Sequence, residues 1–337
     1  MHGWIILDKP VGIGSTQAVS AVKRALRAGG YPKLKVGHGG TLDPLASGVL
    51  PVAIGEATKL AGRLLDSDKA YEFTVRFGVE TATLDAEGEV VATSEVRPAA
   101  SELEAVLPRF TGPITQVPPA YSALKVEGAR AYDLARAGEE VVLPSRDVVV
   151  HALHSSPERG GGPPGAAGWW RGLATSASPA ARPLHQPMAG PPPRSGEELA
   201  EATLLAHVSK GTYIRSLARD IAHALGALGH VTMLRRTKAG PFDLAQAITL
   251  DKLAELGHAR RLQEILLPLR AGLDDIPALI LDPGQAGALR QGRVLAGIAA
   301  DAVQDGGQAF AMLGDVPVAL VEVRDRKVRV VRGFNLE

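Results

Sequence analysis

Between residues 158 and 196 the chain loses the periodicity that builds secondary structure, and this limits how the rest can fold. Gly160-Gly161-Gly162, Pro163-Pro164 and Pro191-Pro192-Pro193 stand there in a background rich in Ala and Ser. Such a composition buries too little apolar surface to offset the entropy of ordering it, so the segment reads as a mobile or loosely packed insertion. Trp169-Trp170 within it could dock locally or meet a partner, and incidental packing is the simpler reading. Regular patterning resumes only near residue 202, so the fold must be assembled from what lies on either side.

The flanking parts carry clear signals. Residues 4–7 are a short apolar run closed by the turn signal Lys9-Pro10-Val11-Gly12, which predicts a strand. Ala18, Val19, Val22 and Leu26 recur at helical spacing, with Ser15 as the expected N-cap and Gly29-Gly30 as the stop. Residues 33–44 are Gly-rich and irregular, and residues 71–77 alternate as a half-buried strand does. Ser101 with Glu104 three residues on predicts a capping box that opens a helix over 101–110. Residues 115–119 read as a loop, 129–137 as a short helix and 140–150 as a strand. Beyond the interruption come a strand at 202–208, an amphipathic helix over 213–225 closed by Gly226, a strand at 231–234 and a helical turn at 262–267. After Pro268 the texture changes to short β candidates at 308–313, 318–323 and 327–331, which places a domain boundary near residue 272. A length of 337 residues suits roughly two domains.

The absence of cysteine excludes disulfides, thiolate nucleophiles and Cys-based zinc sites, and fits a reducing compartment. No signal peptide is expected, because the first apolar run is short and meets a charge at Asp8. No apolar stretch approaches the ~20 residues of a membrane span. The net charge of +1 is low for a binder of naked polyanions, yet the cations cluster. Lys23, Arg24, Arg27, Lys33 and Lys35 form one group; Lys125, Arg130, Arg136 and Arg146 a second; Lys210, Arg215, Arg219, Arg235, Arg236 and Lys238 a third; Arg324, Arg326, Lys327, Arg329 and Arg332 a fourth. Each can be a solvated surface or a local patch for a polyanion.

Several catalytic signatures fail. Val11-Gly12-Ile13-Gly14-Ser15 lacks the spacing of a phosphate loop, the histidines form no metal-binding pair with acidic support, and there is no Gly-x-Ser-x-Gly elbow. What remains is one carboxylate in an unusual setting, Gly37-His38-Gly39-Gly40-Thr41-Leu42-Asp43-Pro44-Leu45-Ala46-Ser47-Gly48-Val49-Leu50. The glycines permit close approach of backbone to a ligand. Pro44 biases Asp43 toward an extended backbone. Leu42, Leu45, Val49 and Leu50 suggest an apolar lining. Taken alone, Asp43 could equally make an Asx-turn.

That stretch, with Leu7-Asp8-Lys9-Pro10 upstream, resembles the signature of the TruB-type bacterial tRNA pseudouridine synthases. Further segments match the family in order: Tyr71-Glu72-Phe73, Thr81-Ala82-Thr83-Leu84-Asp85-Ala86-Glu87-Gly88, Gln116-Val117-Pro118-Pro119-Ala120-Tyr121-Ser122-Ala123-Leu124-Lys125, Ser209-Lys210-Gly211-Thr212-Tyr213-Ile214-Arg215 and Leu234-Arg235-Arg236. Together they cover residues 3 to about 240. Ala82 departs from the family, where an acid is common, and the insertion at 158–196 is longer than the family's.

The resemblance implies an α+β fold: a large mixed, mostly antiparallel sheet flanked by helices over 1–271, and a small β-rich, PUA-like RNA-binding domain over 272–337, where Leu289-Arg290-Gln291-Gly292 fits. It implies an isomerase that converts a uridine in the T-loop of tRNA to pseudouridine, using base flipping and neither metal nor cofactor. Asp43 would be the essential carboxylate. Tyr71 would lie over the target base and assist removal of the C5 proton. Arg215 would pair with Asp43, and Asp85 would join through Arg215. His38 would hold the flipped arrangement, Tyr213 and Leu234 would line the base pocket, Lys9 would support the loop, and 119–147 would grip RNA. The protein is expected to be a cytoplasmic monomer whose partner is the tRNA T-stem-loop, with no obligatory protein partner. Two other readings stay open: a tRNA-folding chaperone without essential catalysis, and a guide-dependent synthase acting on other RNA.

Overall fold

A computed structural model describes residues 1–122, 124–126, 128–139, 141–156, 198–273, 276–296 and 303–336. The insertion at 158–196, with Trp169-Trp170, lies outside the described residues. Two compact units emerge, Met1–Ser67 with Lys238–Glu337, and Asp68–Thr237.

In the first unit the strand Gly3–Lys9 pairs antiparallel with Ser47–Ile54, in register from Gly3↔Ile54 to Lys9↔Gly48. Trp4, Ile5, Ile6 and Leu7 are all buried, so this strand is covered on both faces, which explains a continuous apolar run in place of alternation. The short strand Val36–His38 also pairs with Ser47–Ile54. It lies inside the stretch expected to be irregular; pairing with a longer strand makes up for its weak local signal. The helix Ser15–Ala28 buries Ala18, Val19, Val22, Ala25 and Leu26, the stripe expected from its spacing. It packs on the helix Leu250–His258, where a Cβ at Gly257 would lie 2.9 Å from Ala25. That second helix buries only Leu253, Leu256 and Gly257, too few positions to announce it in the sequence.

The C-terminal part of this unit is a five-stranded sheet in the order Ala278–Ile280, Gln308–Leu313, Val316–Arg324, Lys327–Gly333 and Leu295–Ala296. Its first pair is parallel and the others are antiparallel. The helix Pro283–Arg290 sits over a core of Leu279, Leu289, Val318, Val321 and Val328. Phe310, Met312, Leu320 and Phe334 join a second core with Trp4, Ile6 and Val49, and the Trp4 indole N–H donates to the Leu269 carbonyl at 3.0 Å. The texture change near residue 272 therefore marks a change of architecture inside one packed unit.

The second unit is a sheet in the order Gly229–Ala239, Lys69–Phe77, Glu201–Val208, Arg146–Ser155 and Gly112–Gln116; the chain passes into the first unit within Gly229–Ala239. The pairings of Lys69–Phe77, Glu201–Val208, Arg146–Ser155 and Gly112–Gln116 are antiparallel. The fold is thus α+β, with a large, mostly antiparallel sheet, flanking helices and a β-rich C-terminal part. Among the described residues no helix is long and apolar enough to cross a membrane.

Several local expectations shift. Ser15 is not the N-cap: Gly14 is, with the Gln17 side chain accepting from its N–H at 2.7 Å, and Ser15 is the first helical residue. The helix expected over 101–110 runs over Ala100–Val106 and tightens into a 3-10 turn at Leu107–Phe110, where Pro108 falls. Its cap is Glu102 reaching back to the Ala99 N–H at 2.7 Å, not the Ser101 box. Residues 115 and 116 end a strand instead of lying in a loop, because Gly112–Gln116 pairs with Arg146–Val150. For the same reason the strand expected at 140–150 is displaced to Arg146–Ser155: alternation marks a face, and the partner strand fixes the ends. The short helix is Ala131–Arg136 preceded by a two-residue strand, and the turn at 262–267 is a 3-10 helix, Leu262–Ile265.

Candidate active site

The candidate residues divide between the two units. Lys9, His38 and Asp43 belong to the first, and Tyr71, Asp85, Tyr213, Arg215 and Leu234 to the second.

In the first unit the carboxylate loop leaves the strand Val36–His38 and re-enters the sheet at Ser47. Gly39 anchors its entry, donating to the Pro51 carbonyl at 2.9 Å. A Cβ there would lie 2.7 Å from Leu64, so only glycine lets the loop sit this close. Gly40 follows at φ 138°, and its N–H points at His38 Nδ1 at 3.4 Å. Leu42 is buried and Asp43 half-buried. The Asp43 carbonyl accepts from the Ala46 N–H at 3.1 Å, closing a turn around Pro44. The Lys9 side chain is fully buried, and its ammonium donates to the carbonyls of Pro10 at 2.9 Å and Ile13 at 2.7 Å. Lys9 thereby shapes the Pro10–Gly12 turn, and Gly12 in turn donates to the Pro44 carbonyl at 2.9 Å.

In the second unit Tyr71 is the third residue of the strand Lys69–Phe77, opposite Ala206. It shares a face with Phe73, Val75 and Phe77, but they are buried and Tyr71 is only half covered. Asp85 is 3% exposed and Arg215 6%, and they form an ion pair at 3.1 Å. The other Asp85 oxygen accepts from the Thr83 hydroxyl at 2.5 Å and the Glu87 N–H at 3.0 Å. Arg215 further donates to the carbonyls of Thr83 at 2.8 Å and Tyr121 at 2.9 Å. These bonds explain how a cation tolerates the first turn of the helix Ile214–Ala224, where the helix dipole disfavours it. Leu84, between the two, has φ 62°, a left-handed backbone that costs a leucine of order 1–3 kcal/mol and persists because both sides of the turn are bonded.

Tyr213 caps that helix and is half-buried. The buried Gln116 amide grips its backbone twice: Gln116 Oε1 accepts the Tyr213 N–H at 2.8 Å, and Nε2 donates to the Tyr213 carbonyl at 3.1 Å. The Arg146 guanidinium lies 5.7 Å from the Tyr213 ring centre. The Ser216 hydroxyl donates to the Val117 carbonyl at 2.8 Å. Leu234 is buried in the strand Gly229–Ala239. The structure thus pairs Asp85 with Arg215 and, two residues before Arg215, fixes the Tyr213 backbone at the same helix end. Gln116 and Ser216, its anchors, carry no sequence signal that pairs them with residues about a hundred positions away. Among the described residues no cluster of three or more His, Asp or Glu is placed to hold a metal ion.

The family model described as TruB family pseudouridylate synthase (N terminal domain) matches residues 23–157, and that of the tRNA pseudouridylate synthase B C-terminal domain matches residues 215–274. The tRNA pseudouridine synthase B of Novosphingobium aromaticivorans is 58% identical over 337 residues, covering 100% of this chain and 98% of that protein. That of Zymomonas mobilis is 54% identical, covering 99% and 96%, and that of Caulobacter vibrioides 43%, covering 100% and 97%. Among solved structures, an H/ACA RNP bound to a substrate RNA containing 2'-deoxyuridine is similar with a TM-score of 0.65 at 22% identity, covering 99% of this chain and 85% of that one. A Cbf5-Nop10-Gar1 complex gives 0.65 at 24%, covering 99% and 84%; at these identities the likeness concerns the fold. The chain belongs to the TruB family of pseudouridylate synthases.

Proposed function

We propose that this protein isomerises a uridine in the T-loop of tRNA to pseudouridine, with Asp43 as the essential carboxylate and with neither metal nor organic cofactor. The observation that carries the reading is the full-length similarity, at 58% identity, to a protein named tRNA pseudouridine synthase B. The half-buried Asp43 on a glycine loop bonded at both ends supports its role in the chemistry.

The reaction breaks the N1–C1′ bond, turns the uracil and joins C5 to C1′; C5 loses a proton and N1 gains one. The base must first leave its stack, at a cost of a few kcal/mol. Tyr71 offers the extruded base a stacking face worth about 1–3 kcal/mol and assists removal of the C5 proton. Arg215, fixed by Asp85, is the cationic partner of the Asp43 carboxylate. His38 holds the flipped arrangement, Tyr213 and Leu234 line the base pocket, and Lys9 stiffens the loop. Residues 119–147 grip the RNA, and 272–337 act as a PUA-like RNA-binding domain. The enzyme works in the cytoplasm as a monomer without an obligatory protein partner.

The test is tritium release from an unmodified tRNA transcript labelled at uridine C5, with purified protein and no guide RNA. Release is expected from wild type, and Asp43→Asn should bind tRNA but release none. Turnover by Asp43→Asn sinks the assignment. Binding without release by wild type favours the chaperone reading, and release only with a guide RNA favours the guided one.

A further inference from the structure

The Ser15 hydroxyl, not needed as a helix cap, has another use. Ser15 is 4% exposed. Its Oγ accepts the Leu42 N–H at 2.7 Å and donates to the Leu42 carbonyl at 3.0 Å. A hydroxyl has one proton and two lone pairs, so both bonds can exist together. The Leu42 carbonyl belongs to the peptide that joins Leu42 to Asp43, so this bond fixes the plane from which the Asp43 backbone departs. On the far side the Pro44 carbonyl is held by the Gly12 N–H at 2.9 Å. The turn and first helical residue that follow the first strand thus grip the carboxylate loop on both flanks of Asp43.

We propose that Ser15 is a positioning residue for Asp43: its hydroxyl holds the Leu42–Asp43 peptide so that the carboxylate meets the reacting sugar in a productive geometry. This rests on the reading of Asp43 given above. Gln17 is what frees Ser15 for the task, because it closes the helix end on Gly14. Without the Ser15 hydroxyl the buried Leu42 N–H and carbonyl lose these bonds, and the loop relaxes to seek other partners. Small displacements of a reacting group lower turnover steeply while leaving substrate affinity in place, since the grip on RNA lies elsewhere.

The experiment compares Ser15→Ala with the near-isosteric pair Ser15→Thr and Ser15→Val, each assayed below its own melting temperature. For Ser15→Ala, kcat at saturating tRNA should fall roughly 10- to 100-fold, with the tRNA dissociation constant within about twofold of wild type. Ser15→Thr should recover most of kcat, and Ser15→Val should not. Wild-type kcat in Ser15→Ala, or equal kcat in the Thr and Val variants, overturns the proposal, as does a loss confined to affinity. If Ser15→Ala does not fold, the Thr and Val pair alone decides. Asp43→Asn assayed alongside separates the two claims. If it turns over, the reading of Asp43 fails; if it is inactive while Thr and Val behave alike, only the role of Ser15 fails.

Discussion

Asp85 and Arg215 face each other with almost no access to water, and their energetics follow from that. Removing one partner strands the other charge in a poorly solvated place, which costs about 3–5 kcal/mol. Asp85→Ala and Arg215→Ala should each lose stability of this order in chemical denaturation. Arg215→Ala, where it remains folded, should also lower turnover far more than tRNA affinity; a loss of affinity alone would count against the role proposed for Arg215. Gln116 is a subtler case. Its amide satisfies both backbone groups of Tyr213, so Gln116→Leu keeps the volume and removes both bonds. A cost of about 1–3 kcal/mol is expected in denaturant titrations, with reduced turnover because Tyr213 and Arg215 adjoin on one turn.

At the scale of elements, the site depends on close backbone approach more than on helix or strand strength. The strand Val36–His38 is too short to hold itself, and Gly39 lets its exit lie against Leu64. Gly39→Ala places a methyl at 2.7 Å from that side chain, an overpacking that costs about 1–3 kcal/mol and moves the loop. A lower melting temperature with a larger drop in kcat is the expected result; an unchanged kcat would mean that the loop tolerates the shift. The helix Ile214–Ala224 shows the complementary device. Its N-terminal turn is tied to residues 116–121 by Gln116, Ser216, Arg215 and Arg219, so its first residues are set by side chains instead of by a cap of its own.

At the scale of the molecule, the last described residues of the chain are fastened to its N-terminal part within one unit. Glu56 accepts from Lys59 at 2.6 Å and from the Asn335 N–H at 2.8 Å, and Lys59 also donates to the Gly333 carbonyl at 2.9 Å. Burial opposes ionisation of Glu56, but Lys59 and the Asn335 amide outweigh it and hold the carboxyl below its ordinary range. A depressed folded-state pKa contributes stability above the unfolded value that is lost as pH falls through the folded one. Glu56→Gln should therefore melt below wild type at neutral pH, and the gap should close as pH drops below the usual carboxylate range. A gap that persists unchanged into acid would place its origin outside the charge.

Near-neighbour patterns were legible from the sequence alone because periodicity is a local property. The buried stripe of Ser15–Ala28, the alternation of Lys69–Phe77, the turn glycines and the strands of the tail follow from residues a few positions apart. The carboxylate loop was visible through its glycines, and its resemblance to a family came from ordered segments spread along the chain. Tertiary structure alone decided what depends on distant partners: the bounds of Arg146–Ser155, set by the strands beside it; the union of Trp4 with Phe310 in one core; and the grip of Gln116 on Tyr213. Ser15 marks the divide. Its sequence position suggests a helix cap, but a hydroxyl bonds whatever the fold presents, and here the fold presents the peptide beside Asp43.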